Sequence, residues 1–94
     1  MAAGIVKQDP GLLFEGTNFT IVKKAGKAGD VVGNHNHPEA NIIFTVVQGE
    51  VKVLLNQSEE HILTPGKVLN FDGDNHIQAT FITDGEFVVN LMKK

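Results

Sequence analysis

Apolar and polar residues alternate in short runs along this chain, and no stretch repeats its apolar positions at a helical interval. The runs are broken by Gly16, Gly26, Gly29, Gly33, Gly49, Gly66, Gly73 and Gly85. This punctuation predicts β-strands over Phe19 to Lys24, Val31 to Asn36, Asn41 to Val47, Val51 to Leu55, Glu60 to Leu63, Lys67 to Phe71, Ile77 to Ile82 and Phe87 to Met92. Between them, Gln48-Gly49-Glu50 predicts a tight hairpin and Asn56-Gln57-Ser58 a slightly longer one. Pro65-Gly66 fits a turn in which Pro presets φ and Gly accepts a positive φ. So many short strands in 94 residues predict an all-β fold, a single-domain jelly roll or small β-barrel over residues 1–94, closed so that few sheet edges are exposed.

Composition narrows the picture. A chain of this length buries only about 60–65% of its unfolded surface, so pairing with a second copy would add stability. Eleven acidic residues against eight Lys and no Arg give a net charge of −3. That balance lacks the basic, fork-shaped phosphate contacts of nucleic-acid binders, and no nucleic-acid partner is expected. The letters His-Asn-His also match the name of the HNH nucleases, but that motif is spread over more residues, and an acidic chain without Arg argues against it. With no Cys, any metal must be held by imidazole, carboxylate or amide oxygen. No apolar run approaches the ~20 residues that span a bilayer, and Met1 to Val6 lacks the pattern of a signal peptide. The expectation is a cytoplasmic protein with no membrane partner.

His35-Asn36-His37 is the most informative motif. Residues two apart on a strand share a face, so the two imidazoles can converge on one point. His76, from a later strand, can close a three-imidazole metal site. Parity then assigns faces: Ile42, Phe44 and Val46 point inward with the His pair, and Ile43, Thr45 and Val47 point outward. On the later strand His76, Gln78 and Thr80 share one polar face, expected to line a cavity, while Ile77, Ala79 and Phe81 take the other, expected to pack against a second sheet or a second subunit.

These residues resemble the cupin superfamily, whose first motif runs Gly, five residues, His-x-His, three or four residues, Glu, six residues, Gly. Here Gly29, His35, His37 and Gly49 match, and the Glu position falls on Ile42. The second motif is echoed by Gly66, Gly73, His76 and Thr80. It is one residue short, has Phe71-Asp72 where Pro is usual, and has Thr80 in place of Asn. The resemblance covers about residues 17–92. It implies a small single-domain cupin-type jelly-roll β-barrel with His35, His37 and His76 on a divalent ion, Fe, Mn, Ni or Zn, in the manner of the three-His cupins. The alternative is a vestigial polar cluster in a metal-free pocket.

Several neighbours carry alternatives of their own. Glu39, just past Pro38, is either a fourth ligand or general base, or a solvated loop carboxylate. Gln78 either orients substrate or sits satisfied at a cavity rim. Asn41 could ligate only if a bulge reversed its strand, Asp72 and Asp74 read as turn residues, and His61 as a surface histidine. A three-imidazole ion would keep its full charge and open positions, suiting dioxygenase, isomerase or lyase chemistry on a small oxygenated metabolite. The other function class is a non-catalytic module that binds or senses a small molecule. A homodimer is expected from the strands that are apolar on both faces, Ile42 to Val47 and Phe87 to Met92.

Overall fold

In the computed structural model, which describes residues 3–94, the alternation resolves into nine strands. They are β1 (Gly11–Glu15), β2 (Phe19–Gly26), β3 (Val31–His35), β4 (Ala40–Gln48), β5 (Val51–Leu55), β6 (Glu59–Leu63), β7 (Val68–Asp72), β8 (Ile77–Phe81) and β9 (Gly85–Lys93). One sheet has the order β1-β2-β9-β4-β7 and the other β3-β8-β5-β6, with antiparallel pairing throughout. Two such sheets packed face to face make a jelly roll, as the pattern predicts.

The core is the inner half of that alternation. Ile42, Phe44 and Val46 of β4, Val51, Val53 and Leu55 of β5, and Ile77, Ala79 and Phe81 of β8 are all buried. Phe44 stacks on Phe87 with ring centroids 4.2 Å apart, and Phe87 on Phe81 at 5.4 Å. Burying side chains of this size contributes roughly 1.5–3 kcal/mol each.

Two expectations about elements change. β1 was not foreseen; it pairs with β2 through an irregular register between Leu12 and Phe14, and its irregularity hides the period of two. Gln48-Gly49-Glu50 does not close a hairpin, because β4 and β5 belong to opposite sheets. It is a corner at which the chain crosses the sandwich. Gly49 has φ 77° there, and a Cβ on it would meet the backbone of Asp84 and Gly85. The other two turns form as expected: Asn56 and Gln57 take positive φ between β5 and β6, and Gly66 has φ 94° after Pro65.

Candidate functional site

β3 carries the first histidine, and a bulge aims it. Val32 pairs with Ala79 and His35 with Ile77, so three residues of β3 span two of β8. Strict alternation from an inward Val32 would turn His35 outward. The extra residue within Gly33-Asn34 restores the phase, and both Val32 and His35 line the interior. The bulge also supplies a partner: His35 Nδ1 lies 2.7 Å from the Gly33 carbonyl oxygen. A carbonyl only accepts, so Nδ1 carries the proton, and Nε2 of the neutral ring is left with its lone pair.

His37 lies past the end of β3, in the turn His37-Pro38-Glu39-Ala40, which the Ala40 N–H closes on the His37 carbonyl at 3.0 Å. Pro38 keeps His37 extended and presets the turn. Gly73 clamps this turn from the β7–β8 loop: its carbonyl accepts from His37 N–H at 2.8 Å and its N–H donates to the Ala40 carbonyl at 2.9 Å. The two imidazoles meet edge to face with centroids 4.9 Å apart. Burial pushes His37 below the ordinary imidazole value, the nearby His35 pushes the same way, and Glu39 pulls against them.

Both histidines line a cavity of about 310 Å³. Its apolar wall is Ile42 and Phe44 of β4, Phe71 of β7, Ile77 and Ala79 of β8, and Phe87, Val89 and Leu91 of β9. Val22, Lys24 and Val32 complete the lining, with Lys24 solvent-exposed and the two histidines half-buried. A shape of this size with few polar groups suits a small organic ligand.

The structure does not bring His76 to this cavity. His76 is exposed and absent from the lining, while Ile77 pairs with His35 and points inward. The face expected to line the cavity, with Gln78 and Thr80, is the outer one. Ile77, Ala79 and Phe81 are buried instead, because the apolar side chains of a strand take the interior whichever residue precedes them. Asn56 holds the backbone here: its Oδ1 accepts from His76 N–H at 3.0 Å and its own N–H donates to the His76 carbonyl at 2.8 Å.

The remaining candidates lie elsewhere. Gln78 pairs with Leu54 and is outside the cavity. Glu39 is exposed and borders a second, more polar depression of about 250 Å³ with Glu15, Asn18 and Lys93. Asn41 is exposed on an unbroken stretch of β4. Asp72 ends β7 and Asp74 is in the β7–β8 turn, and Lys94 Nζ reaches them at 2.7 and 3.2 Å. His61 pairs with Glu59 at 2.6 Å. Among the described residues no group of three or more His, Cys, Asp or Glu is placed to hold a metal ion. Two imidazoles without a third donor do not fit the three-His centre that the resemblance implies.

Solved structures share this fold. The chain superposes on an RmlC-like cupin protein from Desulfovibrio desulfuricans with a TM-score of 0.81, 24% identity, and coverage of 97% of this chain and 92% of that one. The fold is that of the cupins. The cupin fold recurs in KdgF from Halomonas sp., with a TM-score of 0.77 and 23% identity over 87% of this chain and 74% of that one. It recurs again in the Cnp3 cupin domain of Schizosaccharomyces pombe, with a TM-score of 0.81 and 15% identity over 89% and 63%. Neither a family model nor a curated protein matches the sequence.

Within this cupin fold, sequence reasoning missed Lys24, Val22 and Val89 as cavity residues. The run Phe19–Gly26 places an apolar residue and a Lys on each face, Ile21 and Lys23 against Val22 and Lys24, so alternation alone does not say which face is inner.

Proposed function

We propose that this protein binds a small, largely apolar molecule inside its barrel, as a non-catalytic binding or sensing module. The single observation that carries this is the cavity itself, apolar on β4, β7, β8 and β9 and polar only where His35, His37 and Lys24 line it. The ligand's hydrocarbon part lies against the Phe44 and Phe87 rings, and its polar end faces the polar part of the lining. A metal-dependent enzyme needs further donors beside the two imidazoles, and Glu39 and Gln78 are not in the cavity to act as acid, base or orienting group. The cytoplasm remains the proposed location, and no helix of the described residues is long and apolar enough to cross a membrane. The proposal includes a homodimer through the outer face of the five-stranded sheet, where Phe19, Val47 and Val68 are exposed beside Ile43 and Val88.

Thermal melting against a panel of small aromatic and aliphatic compounds tests the binding function. At least one compound is expected to raise the melting temperature. Ala79→Leu, which fills part of the cavity, is expected to stay folded and to abolish the rise. A rise that persists in Ala79→Leu, or no rise with any compound, counts against it.

A further inference from the structure

We infer that the cavity's ligand is an apolar monocarboxylic acid bound as its anion, with the carboxylate facing the Lys24 ammonium and the hydrocarbon part against the inner wall. This rests on the ligand-binding function proposed above and adds the chemical class of the ligand.

The charges of the lining carry the inference. Lys24, His35 and His37 are its titratable side chains, and no Asp or Glu is among them. The cavity is thus locally basic in a chain whose net charge is −3. Lys24 also differs from its neighbour. Lys23 is engaged, with Nζ 3.1 Å from Glu86 and 2.9 Å from the Gln8 carbonyl oxygen. The Lys24 side chain has neither an ion pair nor a hydrogen bond among the described residues. It pairs with Phe87 across to β9, shares the inner face of β2 with Val22, and is solvent-exposed while lining the cavity.

The histidines divide the remaining work. Burial holds His37 toward the neutral ring despite Glu39, which makes it a hydrogen-bonding group rather than a second fixed cation. His35 has its Nδ1–H committed to the Gly33 carbonyl, and when the ring is neutral Nε2 is an acceptor with nothing to donate to an anion. The charge contact therefore falls to Lys24. One fixed cation in an otherwise apolar lining matches a monoanion, whereas the second charge of a phosphate dianion has no counterpart among the lining side chains.

The test is a ¹⁵N–¹H correlation titration at pH 7 and low salt with benzoate, phenylacetate, 3-phenylpropionate and hexanoate, each beside its neutral primary amide. For at least one pair the acid is expected to bind about tenfold tighter than the amide. Lys24→Met should bring that ratio to within about twofold, and Lys23→Met should preserve it. Lys24→Gln repeats the measurement if Lys24→Met loses its dispersed spectrum. Equal binding of acid and amide, or a ratio that survives both Lys24 variants, overturns the inference and leaves the cavity as a ligand site. If no compound shifts the Ala79 or Leu91 amides, the cavity is not a ligand site and the inference falls with it.

Discussion

His37 is the residue at which burial, charge and backbone meet. Its imidazole is held below the ordinary 6.5, first by burial and then by His35, with Glu39 opposing. An unfolded chain protonates this ring at a higher pH than the folded one does. Between the folded value and 6.5 the unfolded state therefore binds more protons, and stability rises with pH across that window. Above 6.5 the effect is gone; below the folded value the whole penalty is present. We predict that the urea midpoint falls as pH drops below 6.5 and that His37→Gln flattens the part of the fall due to this group. A His37 side-chain NMR titration with a midpoint at or above 6.5 would contradict the burial argument.

At the scale of the element, the turn carrying His37 depends on Gly73. A Cβ at this position would meet the His37 and Ala40 carbonyl oxygens, which are backbone and cannot swing away. We predict that Gly73→Ala costs about 1–3 kcal/mol in denaturant unfolding, in the range of overpacked sites. It should also shift the His35 and His37 resonances more than those of distant β6. A stability change below a few tenths of a kcal/mol would mean the loop yields more easily than its two hydrogen bonds suggest. The same elements mark what the sequence could reveal. Strand positions were legible because period-two alternation survives in β4, β5 and β8, where burial alternates residue by residue. The His35 and His37 pair was legible from a motif. The placement of His76 was not legible from the motif, because the burial of Ile77, Ala79 and Phe81 decides which face of β8 turns inward. Nor was the bulge at Gly33-Asn34, which two exposed residues produce with no pattern of their own.

At the scale of the molecule, two measurements separate the proposed function from its competitor. Treatment with a strong chelator is expected to leave the melting temperature and the ligand response unchanged. A loss of several degrees, restored by one divalent ion per chain, would return metal to the centre of the account. Sedimentation at micromolar concentration is expected to find a dimer, and Ile43→Glu, on the outer face of β4, to give monomers that keep the ligand-induced rise. A monomeric parent protein would remove the dimer. The cavity next to the core also ties occupancy to survival in the cell. A chain of 94 residues has a total stability on the order of 5–14 kcal/mol. A ligand at about a hundred times its dissociation constant adds about 2.7 kcal/mol, lowering the unfolded fraction roughly a hundredfold. Proteases that cut the unfolded chain would then degrade the unliganded protein fastest, so that its half-life, and through it its abundance, records the ligand's concentration.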